Sequence, residues 1–127
     1  MGYIDIEDAL QVMLRAENFN ACAKPLPANF TMPHVLVDLL NASDENPAQA
    51  VYNVDFDCRA ETYQQAVELQ CSVANWARNL EGAEVGGVPC YKVDTLRMLR
   101  VQPDAANENA LLATVSAGLR LRIADMK

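Results

Sequence analysis

The chain has 127 residues, the size of one domain spanning 1–127, and leaves no room for a second core. Hydrophobic residues make up 51% and charged residues 21%, a globular balance that argues against intrinsic disorder. The net charge of −7 comes without a basic stripe, which argues against a phosphate binder, because nucleic-acid affinity arises largely from Lys and Arg displacing counterions.

The charge is uneven. Residues 1–60 carry nine acids against three bases, and residues 96–127 carry three acids against five bases. Most such charge serves solubility, but an acidic front and a basic rear also permit head-to-tail association of identical chains. Met1 to Leu10 has neither the basic region nor the apolar run of a secretion signal. Ile6 occupies the Ser/Thr position of the myristoylation pattern, and no window approaches a membrane span. A soluble cytosolic product with no membrane partner is expected. Cys22, Cys58, Cys71 and Cys90 form no CxxC pair, so they read as buried thiols rather than metal ligands.

In chain order, Asp5 is a candidate N-cap, and Ile6, Ala9, Leu10, Met13 and Leu14 recur at helical spacing, predicting a helix to about Glu17. From Asn18 to Pro33 the periodicity disappears, and Pro25, Pro27 and Pro33 suggest an extended arm that is neither strand nor helix. Val35 to Leu40 reads as a covered strand and Asn41 to Gln49 as a loop of turn-forming residues. Tyr52, Val54, Phe56, Cys58 and Ala60 then alternate with Asn53, Asp55, Asp57 and Arg59, the period-two pattern of an antiparallel strand with one buried face.

Thr62 and Gln65 predict a capping box opening the main helix. Ala66, Leu69, Val73, Trp76, Ala77 and Leu80 form its buried stripe, Glu68, Gln70, Asn75, Arg78 and Asn79 face water, and Gly82 ends it. Gly86-Gly87 reads as a turn before a strand from Val88 to Leu99, edge-like near Pro89. Pro103 to Asn109 is a polar loop. From Leu111 to Ile123 the chain alternates again, with Arg120 and Arg122 on the polar side. The element order is helix, strand, strand, helix, strand, strand: an α+β domain with helices packed on one face of an antiparallel sheet.

No catalytic, cofactor or metal site emerges, and the chain does not read as an enzyme. His34 follows Pro33 at a strand entry without a nucleophile motif, and reads as a satisfied structural histidine. Asp55 and Asp57 share a strand face and read as a solvated or partner-facing surface rather than a metal clamp.

With these elements placed, the chain resembles the tail terminator (minor tail, or tail completion) proteins of long-tailed bacteriophages over nearly its whole length. The resemblance rests on the acidic helix at Ile4–Leu14, on Pro33-His34-Val35-Leu36-Val37, on Val54-Asp55-Phe56-Asp57-Cys58-Arg59-Ala60-Glu61-Thr62 with Ala66 and Leu69 after it, on Gly86-Gly87-Val88, and on the alternating C-terminal strand. Asn41-Ala42-Ser43 departs from the family where glycines are frequent, and Asn107-Glu108-Asn109-Ala110 lacks an aromatic often found there.

The resemblance implies a non-enzymatic virion protein without cofactors, assembled in the host cytoplasm at the head-proximal end of the tail. It implies a hexameric ring that caps the tail tube, stops its polymerisation, and offers a docking surface to head-completion (neck or stopper) proteins while DNA passes without specific binding. Such a ring needs a heterologous interface whose rotation closes. The candidate interface is the polar strand face of Asn53, Asp55, Asp57, Arg59, Arg120 and Arg122, and the candidate axial loops carry Asp44, Glu45, Asp104 and Glu108. Competing readings are another head–tail connector, or a small ligand-binding domain of the ferredoxin-like kind with a pocket between sheet and helix.

Overall fold

In a computed structural model, which describes residues 2–123, helix α1 spans Ile6–Ala16. The Asp5 carboxylate accepts from the Asp8 amide at 3.2 Å and starts the helix. Ile6, Leu10 and Leu14 are fully buried along one stripe, each worth roughly 1.5–3 kcal/mol of burial. Beyond the C-terminal turn, Asn18 takes a left-handed φ of 67° and turns the chain back.

The expected arm contains a strand, β1 (Ala21–Ala23), parallel to β2 (His34–Asn46). Three anchors on α1 make it possible. The Gln11 side-chain oxygen accepts from the Ala23 amide at 2.9 Å, the Arg15 Nε donates to the Ala21 carbonyl at 2.7 Å, and the Glu7 carboxylate accepts from the Leu39 amide at 2.9 Å. One side of the helix, over successive turns, thus supplies a row of polar groups to strand edges, a tertiary effect that no local periodicity records.

The expected loop at Asn41–Gln49 is instead the tip of a long hairpin. β2 runs on to Asn46, and β3 (Gln49–Ala60) pairs with it to the end, with irregularities between Leu39 and Asn41 and between Asp44 and Asn46. These bulges absorb the extra residues that made the stretch look loop-like.

Helix α2 (Tyr63–Arg78) begins where Thr62 Oγ1 accepts from the Gln65 amide at 3.2 Å. It ends at Asn79, a turn before Gly82. Gln70, expected to face water, is buried: its side-chain amide donates to the carbonyls of Leu99 and Thr114, tying the helix to the sheet. Cys71, expected to be a buried thiol, is exposed. Trp76 is half-buried and meets Phe56 edge-on, with ring centroids 5.7 Å apart.

Gly86 and Gly87 form the turn between two strands, β4 (Glu84–Val85) and β5 (Val88–Met98). Their φ values of 58° and 80° suit a two-residue hairpin turn. A two-residue β6 (Gln102–Pro103) and the long β7 (Leu111–Arg122) follow.

The strands form one seven-stranded sheet of order β1-β2-β3-β7-β5-β4, with β6 against the start of β7. Except for β1 all pairings are antiparallel. Both helices pack on one face, where Tyr52, Val54 and Phe56 of β3 and Val115, Leu119 and Leu121 of β7 form the core. The fold is α+β, in the order helix, strands, helix, strands, as the sequence pattern indicates.

The β4–β5 turn lies under α1. A Cβ added to Gly86 would stand 3.2 Å from both the Ala9 Cβ and the Ile4 Cδ1, at a φ that L-residues avoid. Gly86→Ala is expected to lower stability by about 1–2 kcal/mol, the cost of a left-handed L-residue, measured as a drop in urea midpoint at unchanged slope.

Candidate functional site: the open sheet face

The face of the sheet away from the helices carries the polar half of each alternation. On β3 these are Asn53, Asp55, Asp57 and Arg59, and their register neighbours on β7 are Gly118, Ser116, Thr114 and Leu112. Period-two geometry alone places them there. The structure brings the sequence-predicted set together on one face, but largely to bind one another.

Asn53 donates to the Asn41 side-chain oxygen at 2.8 Å. Asp55 accepts from Ser116 Oγ, and Asp57 accepts from Thr114 Oγ1 at 3.1 Å. Burial raises the Asp57 carboxyl above its usual range, only partly offset by the Thr114 hydrogen bond. Gly118 leaves the space that Asn53 and Thr95 fill; a Cβ there would stand 3.1 Å from Thr95 Oγ1 and 3.3 Å from Asn53 Oδ1. No cluster of three or more metal-ligating side chains occurs among the described residues.

At one end of the face, Arg59 and Asp104 form a buried ion pair at 2.8 Å, each 7% exposed. Asp104 is therefore not an axial contact residue. It closes the loop after β6, and its other carboxylate oxygen accepts from the Ala106 amide at 3.1 Å. Arg59 is likewise withdrawn from the surface offered for assembly, while Glu108 in the same loop is exposed.

His34 stands directly opposite Arg59 in the β2–β3 register. Its Nε2 lies 3.3 Å from Cys22 Sγ, and Phe30 covers the ring at a centroid distance of 5.4 Å. Burial, reinforced by Arg59, holds the imidazole pKa down, and burial holds the Cys22 thiol up. Both shifts favour the neutral pair, the opposite of an activated thiolate–imidazolium couple. The expectation of a fully satisfied histidine is corrected in part: His34 Nδ1 and Arg59 Nη1 are buried without a hydrogen-bond partner among the described residues.

At the other end Arg120 is the hub. Its Nε donates to Asp94 at 2.5 Å, and its Nη1 pairs with Glu45, which also accepts from Tyr91 Oη at 2.7 Å. Glu45 on β2 thus reaches Arg120 on β7 and Tyr91 on β5 across the strands between them. Asp44 accepts from Tyr3 Oη on the opposite side of the hairpin. Asp44 and Glu45 are strand residues that fasten the hairpin, not loop-tip residues. Arg122, opposite Gln49, is exposed.

Between the two ends lies a shallow polar groove of about 190 Å³, bordered by Asn41, Asn53, Asp55, Thr95, Arg97 and Ser116. The interior between sheet and helices, where a ferredoxin-like ligand pocket would lie, is filled by the aliphatic and aromatic core, and a cleft opens at its side, between α2 and β5.

Several exposed apolar side chains lie outside the sequence-predicted set. Val12 on α1 (56% exposed), Leu40 on β2 (53%), and Met98 (48%) and Leu99 (43%) at the end of β5 face solvent. The signal was available: Val12 lies off the Ile6–Leu10–Leu14 stripe, and Met98-Leu99 breaks alternation with two consecutive apolar residues.

No protein-family description matches the sequence, and no curated protein matches it. Among solved structures, a chain from the "Virion of native gene transfer agent (GTA) particle" is similar, with a TM-score of 0.55 and 16% sequence identity. The similarity covers 94% of this chain and 99% of that one. At this identity the likeness is one of fold.

Two outcomes test the internal use of this face. Asp104→Ala strands the Arg59 charge and is expected to cost about 3–5 kcal/mol in chemical denaturation, most of it recovered by the double change Arg59→Met with Asp104→Leu. The Glu45 carboxyl is held below its ordinary value of 4.5, first by Tyr91 and then by Arg120. A depressed carboxylate contributes stability that is present above 4.5 and is lost as the pH falls through the lower folded value. Carboxyl titration by NMR should show Glu45 moving upward in both Tyr91→Phe and Arg120→Ala.

Proposed function

We propose that the chain is a structural virion protein, and specifically a tail terminator whose ring, a hexamer in the family it resembles, closes the tail tube. The observation that carries this reading is the end-to-end likeness of fold to a chain of a virion particle, covering 94% of this chain and 99% of that one. The likeness extends over the whole described domain rather than over a local motif.

The geometry is compatible with work done by surface rather than by chemistry. On the sheet face Arg59 and Arg120 are engaged with carboxylates, Asp55 and Asp57 with hydroxyls, and the thiol–imidazole contact is held in its neutral form. A net charge of −7 suits a conduit whose walls repel DNA instead of gripping it. In this reading the ring stops tube polymerisation because its outer axial face is unlike the tube's and accepts a neck protein instead.

A head–tail connector is the second reading, favoured by the same likeness, since the similar chain is described by its particle and not by its position. The two part company in one experiment. Purified protein is incubated with isolated tail tubes or with portal-bearing heads, and imaged by negative stain. A terminator decorates one end of the tubes and arrests their elongation when tube protein is added; a connector decorates the portal. Tubes that keep growing at undecorated ends would defeat the terminator assignment.

A further inference from the structure

The two lateral edges of the sheet share a construction that the virion reading does not by itself require. On the β2 side, β1 covers Val35 to Val37, the Glu7 carboxylate takes the next outward amide at Leu39, and from Leu40 to Asn46 no strand among the described residues lies beyond. On the β5 side, β4 covers Val88 and Pro89, the Ala83 carbonyl takes the Cys90 amide, and the Glu81 carboxylate takes the Val93 amide at 3.0 Å. From Asp94 to Met98 no strand among the described residues lies beyond. Each edge is thus sealed at its start by a short strand and a glutamate, and left open afterwards. Unpaired edges invite strand addition unless something covers them.

The open stretches are matched in height and direction. Asn41 pairs with Asn53, Asn53 with Gly118, and Gly118 with Asp94, so both stretches cross the same row of the sheet. Three antiparallel pairings separate β2 from β5, so the two strands run in opposite directions. Copies related by rotation about an axis along the strands, without an axial step, would bring the open part of β2 beside the open part of a neighbour's β5, antiparallel.

The helix layer beside each edge is complementary as well. Next to β2, the exposed side of α1 offers Asp8 and Val12, one turn apart. Next to β5, a cleft of about 310 Å³ opens between α2 and the strand, lined by Ala74, Arg78, Leu96 and Met98 among others. One edge therefore presents an acid with an apolar knob. The other presents a base with an apolar slot.

We propose that these two edges are the two halves of one head-to-tail contact between copies of this chain, with Val12 of one copy seated against Leu96 and Met98 of the next and Asp8 facing Arg78. The inference deepens the ring reading above and rests on it for the identity of the partner. It also replaces the open sheet face as the subunit interface, since Arg59 and Arg120 are already engaged within the subunit.

A head-to-tail contact has a signature that a symmetric one lacks. Val12→Arg disables one half and leaves the other intact, and Met98→Arg does the reverse. Sedimentation velocity at high protein concentration should show each variant as a monomer, while an equimolar mixture forms a one-to-one dimer and nothing larger. The charge reversals Asp8→Arg and Arg78→Glu, each on an exposed side chain, should weaken wild-type association singly and restore it together. Circular dichroism and melting profiles like the wild type's establish that the variants are folded.

Variants that assemble like the wild type, or a mixture that stays monomeric, would overturn these edges as the interface while leaving the virion role standing. A wild-type chain that is monomeric at its solubility limit would overturn self-association through them, and end decoration of tail tubes would still test the virion role separately.

Discussion

Sliding β3 by one residue against β7 would carry Asp55 and Asp57 into the space now filled by Phe56 and Val54. The register prevents this: twelve consecutive pairs run unbroken from Gln49 opposite Arg122 to Ala60 opposite Leu111. Because side chains alternate with a period of two, a slip of one inverts the faces of the whole strand, and an unpaired buried carboxylate costs far more than any local gain returns. The other elements take their places from this strand. Its apolar half receives α2 through Phe56 and Trp76, its polar half fixes the composition of the open face, and its two flanks accept β2 and β7 over their length.

Once that face exists, its polarity needs partners. A strand surface of carboxylates and guanidinium groups with no covering layer remains solvated or pairs internally, and here much of it pairs internally. Asp55 and Asp57 are taken by hydroxyls directly across on β7, Arg59 by Asp104, and Arg120 by Asp94 and Glu45. The Arg120 contacts tie β2, β7 and β5 together across the face. The exposed pairs contribute little to global stability, but they fasten the end of the β2–β3 hairpin to the face.

The elements that the sequence makes legible are those decided by neighbours in sequence. The Thr62 cap, the apolar stripe of α2 and the alternation of β3 and β7 each depend on residues two to four positions apart, and each appears where the pattern places it. The features it conceals are decided by distant partners. Asp104 looks like a loop acid until Arg59, forty-five residues earlier, is placed beside it. Gln70 looks solvent-facing until the carbonyls of Leu99 and Thr114 arrive beneath it. Asn41–Asn46 has the composition of a turn, yet pairing with Gln49–Asn53 makes it strand. β1 exists because α1 presents polar groups to its edge, and that row can be seen only once the helix is docked.

The same distinction bears on the uneven charge. In the sequence, nine acids against three bases in residues 1–60 and three acids against five bases in residues 96–127 form a linear gradient without spatial meaning. The topology turns it sideways. α1 and β2 come from the acidic front of the chain, β5 and its following turn carry Arg97 and Arg100, and β3 and β7 hold the two sides apart. A sheet whose lateral edges differ in charge and in shape is poorly suited to a two-fold contact, because like edges would meet like. Successive copies joined unlike edge to unlike edge close into a ring or continue as a filament, and the angle between the edges decides which.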